Sequence, residues 1–282
     1  TQGYSSAASD VYKRQAFDSS TISLCLKLCP WAKYRKNKGG IKMHTLVDLR
    51  GNLPVSVYLT SASVNDVKAL DDLYIEPSAI YLMDRGYVDF NRLFKLITKK
   101  NAFFVTRAKD NMLFEVVSEA EVDKSTGIIS DERIKLTGLH TAKWYPEELR
   151  MVTYEDYATS KVYRFLTNNM EYEALTISEL YRERWNVELY FKWIKQHLHI
   201  KSFYGTSENA IYLQIWIAVC TYLLLAYAKK VMHIDQSLHT ISKNVGLFLT
   251  DKTPLNELFN KAVPTEETED WLYPSLFRPD DF

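Results

Sequence analysis

The order of strand-like and helix-like segments in the first half of this 282-residue chain constrains its fold more than any other feature of the sequence. Three segments rich in β-branched and apolar residues come first, at residues 16–26, 40–49 and 53–62. The sequence DLRGN, between the second and third segments, is typical of a hairpin turn. The pattern therefore predicts three consecutive antiparallel strands.

Helical and strand-like patterns then alternate. Apolar residues recur at helical spacing over residues 63–74, behind a serine or asparagine that can cap a helix. A short buried strand is predicted to end at Asp84, residues 89–100 return to the helical period, and residues 102–109 have the composition of a fifth strand. The resulting order, β-β-β-α-β-α-β, predicts an α/β fold with a mixed sheet.

The pattern changes again in the second half of the chain. Residues 110–169 contain short alternating segments separated by turn residues, which predicts a β-rich insertion. A long helix through His199 follows, then an apolar helix over residues 209–232 and two shorter helices. We interpret the apolar helix as a core helix rather than a membrane span, because Gln214 and several tyrosines interrupt the apolar run.

Charge is unevenly distributed, although the formal net charge is zero. Basic residues cluster at residues 33–44 and 181–201, and acidic residues cluster in the tail from Pro264 onward. The three cysteines lack the paired spacing of a zinc finger, and we interpret them as reduced thiols of a cytoplasmic protein. Residues 1–15 lead abruptly into the first strand, so we interpret them as a non-native or disordered segment that replaces a missing N-terminus.

Two aspartates stand where the strand pattern calls for apolar residues. Asp18 lies in the middle of the first strand, and Asp84 ends the fourth strand. Either aspartate alone is equally well explained as a turn former or a strand-end cap. Two on adjacent strands, together with a glutamate on a helix that can pack on the same sheet, suggest a carboxylate cluster.

That glutamate, Glu188, shares one helical stripe with Tyr181, Arg184 and Lys195 at about 100° per residue. By itself this stripe is more simply explained by ion pairs between residues four apart on a solvated helix face. The two strand aspartates favour a functional interpretation instead. Three converging carboxylates repel one another unless a hard cation joins them, and oxygen ligands favour Mg²⁺ or Mn²⁺. Two such ions about 4 Å apart support phosphodiester chemistry, and the surrounding bases would hold a polyanionic substrate.

Three motifs carry a specific resemblance to a known family. They are AFDSSTI around Asp18, MDRGY around Asp84, and the spacing Tyr181-x2-Arg184-x3-Glu188-x6-Lys195. Together they resemble DDE transposases of bacterial insertion sequences, in particular the insertion-sequence-four family with its Y-R-E-K signature. The resemblance extends from about residue 16 to about residue 255 and implies a ribonuclease H-like mixed β-sheet flanked by helices, an all-β insertion between the second aspartate and the glutamate, and a helical C-terminal part.

The resemblance also implies a domain organisation and a catalytic centre. Residues 16–109 and 170–255 would form the catalytic domain, residues 110–169 the insertion and residues 256–282 a C-terminal tail. Catalytic residues and ligands of two Mg²⁺ or Mn²⁺ ions would be Asp18, Asp84 and Glu188.

The partner implied by the resemblance is double-stranded DNA, both transposon ends and target. Tyr181, Arg184 and Lys195 would bind phosphates of the transposon end. We add five weaker candidates for DNA contact, for which a surface, core or solvated-loop role is the alternative: Lys192, Arg85, Lys38, Lys42 and Trp144. The active complex would be at least a dimer, without a membrane, in the bacterial cytoplasm and associated with the nucleoid.

Two other functions fit the same residues. One is a ribonuclease H-like nuclease that hydrolyses nucleic acid without strand transfer, which has the same fold and metals. The other is a non-catalytic DNA-binding remnant of a mobile element, which a truncated N-terminus favours and the intact carboxylates oppose.

Overall fold

The computed structural model describes residues 13–248 together with residues 250, 252 and 259. The chain divides into two compact units, Thr1–Tyr190 and Phe191–Phe282. The predicted segment at residues 1–15 therefore lies almost entirely outside the described residues, and so do the second of the two shorter helices and most of the predicted tail.

The predicted antiparallel strands are present at the start of the first unit. They are β1 (Arg14–Leu24), β3 (Lys38–Asp48) and β4 (Leu53–Ser61), and a short strand, β2 (Lys33–Arg35), precedes β3. β3 pairs antiparallel with β1, β2 and β4. The basic segment after β1 turns at residues 36–37, and its two glycines lie within β3 rather than in the turn. A Cβ atom at Gly40 would lie 2.9 Å from the carbonyl oxygen of Ile22, so glycine allows β1 and β3 to approach there.

Two parallel strands form the centre of the sheet. β5 (Ile80–Met83) pairs parallel with β1 and with β6 (Phe103–Arg107). Every residue of β5 is buried, which explains its continuous apolar run, because a central parallel strand is covered on both faces. On one face Met83 packs with Phe17 in the main hydrophobic core. Side chains alternate along a strand, so Asp18 faces the opposite side.

The two helices predicted between these strands are helical but irregular. The first is a 3₁₀ helix, Asp66–Asp72, whose N-cap Asn65 accepts a hydrogen bond of 3.3 Å from the backbone nitrogen of Val67. The second begins as a short α-helix, α1 (Phe90–Arg92), and continues as a π-helical segment, Leu93–Ile97. Regular α-helices were the wrong expectation at both positions, because tertiary packing of short segments overrides local periodicity.

The β-rich stretch extends the same sheet. Its strands are β7 (Phe114–Glu119), β8 (Ile128–Leu136), β9 (Leu149–Asp156) and β10 (Lys161–Thr167), with a single-turn helix, α2 (Thr141–Trp144), before β9. β10 pairs antiparallel with β6, and the strand order is β2-β3-β1-β5-β6-β10-β9-β8-β7, with β4 on β3. The fold is thus a mixed α/β sheet flanked by helices, as predicted. The domain boundaries stay a prediction.

A buried arginine attaches this stretch to the helices that follow. Arg150, on β9, donates from Nε and Nη2 to the two carboxylate oxygens of Asp131, each at 2.7 Å. Its Nη1 donates to the carbonyl oxygens of Asn169 and Tyr172, which precede the next helix. One guanidinium therefore fixes the start of that helix against the sheet.

The long helix predicted through His199 is two helices. α3 (Ala174–Glu183) and α4 (Trp185–His197) meet at Arg184. The backbone nitrogen of Arg184 donates to Tyr181 O and its carbonyl accepts from Val187 N, both at 3.2 Å. These bonds span three residues rather than four, so the chain makes one tighter turn at Arg184.

The second unit contains α5 (Glu208–Val231) and α6 (Leu238–Leu247). The expectation of a buried core helix holds for one face of α5 only. Ile211, Ile215 and Tyr222 are buried, whereas Leu213 and Leu224 are among several exposed apolar residues on it. Within the described part of the chain, α5 alone is long and apolar enough to cross a membrane, a criterion that core helices also meet.

Candidate active site

The sheet brings the two predicted aspartates side by side. Phe17 and Met83 are the last residues paired between the parallel strands β1 and β5, and Asp18 and Asp84 directly follow them. Neighbouring strands lie about 4.8 Å apart, so the two backbones are adjacent at this position. Asp84 also accepts a hydrogen bond of 3.2 Å from the backbone nitrogen of Gly86, which stabilises the turn that ends β5.

The turn between α3 and α4 adds a cation and the third carboxylate. Arg184 Nη1 lies 3.4 Å from Asp18 Oδ2 and 2.6 Å from Glu188 Oε1. The side chains of Asp18 and Arg184 are mostly buried, and that of Glu188 is 30% exposed. The ion pair of Arg184 and Glu188 four residues apart, which the sequence offers as the simpler explanation of the stripe, is present. The contact of Arg184 with Asp18 was not predicted, and the catalytic roles of Asp18, Asp84 and Glu188 stay a prediction.

Arg184 offsets only part of the cost of burying the Asp18 carboxylate. Burial raises the pKa of Asp18 to about 7, although Arg184 and the backbone nitrogen of Ser19 oppose this shift. The nearby charges of Glu188 and Asp84 raise the pKa of Asp18 further. A bound cation would offset these unfavourable contributions to the charge of Asp18.

The donor chemistry fits Mg²⁺ or Mn²⁺, since Asp18, Asp84 and Glu188 offer oxygen atoms only. In the part of the chain that the structure describes, no three His, Cys, Asp or Glu side chains are close enough to share one ion. Between Asp18 and Glu188 lies the guanidinium of Arg184, which contacts both carboxylates.

The ring of Tyr181 packs against the guanidinium of Arg184. Its ring centroid lies 5.5 Å from the guanidinium carbon of Arg184 and 4.9 Å from the ring of Phe165. The side chain is buried, and burial raises the pKa of its phenol to about 12. This position gives the predicted phosphate contact of Tyr181 no support, and instead indicates that the ring orients Arg184.

The other predicted DNA contacts are distributed over the molecule. Arg85 is half exposed, with Nη1 4.0 Å from Asp110 Oδ2, and Lys38 is exposed opposite Arg35 in the β2–β3 hairpin. Trp144, at the end of α2, is 45% exposed and stacks on His140.

Lys192 and Lys195 lie on the part of α4 that belongs to the second unit. Lys192 is exposed. Lys195 is less exposed, and burial together with Lys201 lowers the pKa of its ammonium. Contact of these two lysines with DNA stays a prediction.

Lys42 is buried rather than on a DNA-facing surface. It is 9% exposed, and its Nζ lies 2.7 Å from Val64 O and 2.9 Å from Asp66 Oδ1. The Ser19 hydroxyl donates to the same Asp66 oxygen. The sequence pattern missed this polar network on the face opposite Asp18, although the alternating polar residues in β1 and β3 were a signal for it.

His44, on the same face of the sheet as Lys42, is expected to make folding pH-dependent. It is fully buried, its Nε2 is 2.8 Å from Thr60 Oγ1, and burial lowers its pKa to about 4. In the unfolded chain the imidazole of His44 is protonated below about pH 6.5, whereas in the folded chain it is protonated only below about pH 4. Stability is therefore fully present above pH 6.5 and falls by about 3 kcal/mol as the pH approaches 4.

Urea unfolding at several pH values tests this prediction by comparing the wild type with His44→Gln, which keeps a donor for Thr60 but does not titrate. The free energy of unfolding should fall more steeply below pH 6.5 in the wild type. Asp18 titrates in both proteins, so its opposite contribution cancels in the difference. Parallel curves would contradict the assignment to His44.

Comparison with known proteins places this geometry in a family context. The model of the family described as the transposase DDE domain matches residues 10–224. A protein of Sinorhizobium fredii named as a transposase is 37% identical over 221 residues, which cover 77% of this chain and 61% of the relative. A protein of Geobacillus stearothermophilus named as a transposase for an insertion sequence element is 29% identical over 243 residues, which cover 85% and 63%.

A third relative, from a Synechocystis strain and also named for an insertion sequence element, is 25% identical over 240 residues, covering 83% of this chain and 62% of the relative. The chain thus spans about three fifths of the length of these curated relatives. Among solved structures, the piggyBac transposase in a synaptic complex with hairpin DNA matches with a TM-score of 0.52 and 14% identity, covering 90% of this chain and 58% of that one. That likeness concerns the fold, and it agrees with a ribonuclease H-like arrangement.

Proposed function

This chain belongs to the family of DDE transposases, and from that premise we propose that Asp18, Asp84 and Glu188 form a catalytic centre for cleavage of DNA at transposon ends and for strand transfer. The observation that carries the proposal is the juxtaposition of Asp18 and Asp84 on neighbouring parallel strands, with Glu188 linked to Asp18 through Arg184. The same three residues stand at the positions that the sequence motifs single out.

These three carboxylates would hold two Mg²⁺ or Mn²⁺ ions. Bound there, such ions lower the pKa of a water or 3′-hydroxyl and stabilise the leaving oxygen of a phosphodiester. The chain's own contribution is the arrangement of the ligands, since β1 and β5 fix the two aspartates and the tight turn at Arg184 positions Glu188.

Double-stranded DNA is the proposed partner. Phosphates would be bound by Arg184, Lys192, Lys195, Arg85 and Lys38, and the exposed ring of Trp144 would stack on a base. We extend the proposal to a dimer in the DNA complex, because pairing two transposon ends requires two active sites. Such a complex would act in the bacterial cytoplasm, on the nucleoid.

The proposed experiment is a strand-transfer assay. The purified chain is incubated with Mn²⁺, supercoiled plasmid and a labelled duplex that ends in a free 3′-hydroxyl. Joining of the label to plasmid DNA supports a transposase, whereas plasmid nicking without joined label supports a ribonuclease H-like nuclease. Binding of DNA with neither product would support the third interpretation, a DNA-binding remnant.

A further inference from the structure

Arg184 holds two of the three carboxylates at once. Its Nη1 lies 3.4 Å from Asp18 Oδ2 and 2.6 Å from Glu188 Oε1, and the ring of Tyr181 covers its guanidinium. Of the Arg184 side chain, 13% is exposed. These contacts place a permanent cation on oxygen atoms that the proposed function assigns to divalent ions, and the inference below rests on that function.

Arg184 and a divalent ion cannot share these oxygens in the present arrangement. Mg²⁺ requires oxygen ligands at about 2.1 Å in near-octahedral geometry, and Mn²⁺ prefers the same kind of donors. An ion bound to both Asp18 and Glu188 would lie next to the Nη1 atom that now bridges them, and the two cations would repel each other. Entry of the ion therefore requires the guanidinium to move away.

The guanidinium of Arg184 also leaves one of its hydrogen-bond donors without a partner. Its Nε is buried and has no hydrogen-bond partner among the residues that the structure describes. A buried donor without a partner costs free energy. A phosphate can accept from Nε and an Nη atom together, as a bidentate pair. A DNA phosphate beside the site would therefore satisfy Arg184 better than the two carboxylates do.

We propose that Arg184 is an exchangeable counter-cation, which neutralises Asp18 and Glu188 until a divalent ion takes over these carboxylates and releases the guanidinium to a DNA phosphate. Metal binding and DNA binding then favour each other. The coupling is reciprocal, since each ligand must raise the affinity of the other by the same factor. Arg184 contributes to DNA affinity only when the metal is bound.

The first arm of the test measures metal affinity without DNA. Mn²⁺ is titrated into the full chain, and binding is followed by calorimetry and by loss of the electron paramagnetic resonance signal of free Mn²⁺. Arg184→Gln removes the competing cation, so the variant should bind Mn²⁺ about tenfold more tightly than the wild type. Arg182→Gln is the matched control, because Arg182 carries the same charge two residues away on an exposed surface, and its Mn²⁺ affinity should equal that of the wild type.

The second arm measures affinity for a blunt DNA duplex of about 20 base pairs at fixed salt, with and without Mn²⁺. Mn²⁺ should tighten duplex binding by the wild type about tenfold and by Arg184→Gln less than threefold. Without Mn²⁺ the two proteins should bind the duplex alike. Circular dichroism checks that each variant is folded. If Arg184→Gln unfolds, Arg184→Lys replaces it, because lysine keeps the positive charge but lacks the two parallel donors of the guanidinium. Its Mn²⁺ affinity should rise as well, by a smaller factor.

The outcomes separate this proposal from the proposed function. If Glu188→Gln abolishes Mn²⁺ binding while Arg184→Gln or Arg184→Lys binds Mn²⁺ no more tightly than the wild type, the carboxylate site stands and the exchange is refuted. If Glu188→Gln binds Mn²⁺ like the wild type, Glu188 is not a metal ligand. That result refutes both the proposed carboxylate site and the exchange of Arg184 for a metal ion. Tighter Mn²⁺ binding in the Arg184 variant, together with a smaller effect of Mn²⁺ on duplex affinity, supports the exchange.

Discussion

Asp18→Asn should lower the rate of DNA strand cleavage by a factor on the order of a thousand or more, because it removes a carboxylate oxygen that the proposed two-ion chemistry requires. The same substitution should not unfold the protein. Burial raises the pKa of Asp18 to about 7, so its charged form is disfavoured in the folded chain. A neutral amide of the same shape avoids this burial of charge, and the thermal midpoint at pH 8 should stay at or above that of the wild type.

Nicking of supercoiled plasmid in Mn²⁺, measured with thermal unfolding of the same samples, tests both parts of this prediction. Asp72→Asn is the matched control, since Asp72 is exposed at the end of the 3₁₀ helix. It should cleave and melt like the wild type. Cleavage by Asp18→Asn at a rate within tenfold of the wild type would remove Asp18 from the catalytic centre.

Arg150→Met should be the most destabilising of the substitutions considered, at a cost of about 3 to 5 kcal/mol. The substitution leaves the carboxylate of Asp131 nearly buried and unpaired, and it removes the donors that satisfy Asn169 O and Tyr172 O. Because those carbonyls precede α3, the loss should also loosen the helix pair that carries Arg184 and Glu188.

Urea unfolding of the wild type, Arg150→Met and Arg133→Met measures this effect. Arg133 pairs directly with Arg150 across β8 and β9 but is exposed, so its loss should change the free energy of unfolding by less than about 1 kcal/mol. The double variant Arg150→Met with Asp131→Leu removes both charges and should recover part of the loss. An equal effect of the two arginine substitutions would show that the buried ion pair contributes little.

The strands and the strand aspartates were predictable because their signal is local. An apolar run interrupted by one carboxylate is visible in the sequence, and Asp84 follows β5 at the predicted place. The sequence analysis took the two aspartates to lie on adjacent strands, and β1 does pair with β5.

Other features depend on contacts that no local pattern reveals. The basic neighbours of Lys42 in sequence predict a surface lysine, yet Lys42 is buried against Asp66, which comes from a segment after β4. The helical period of the sequence runs through Arg184 without interruption, yet the helix ends there in a tight turn and the guanidinium contacts Asp18. Burial and partner choice at these positions are decided by tertiary packing.

The wide separation along the chain between the two halves of the site has a consequence during protein synthesis. Arg184 and Asp18 are in contact across 166 residues of sequence. At 5–20 residues per second, a ribosome needs on the order of ten seconds or more to add the second half after the first. A growing chain therefore carries both aspartates well before it carries Glu188, and the proposed catalytic centre stays incomplete until residue 188 has been added and the helix that bears it has folded onto the sheet.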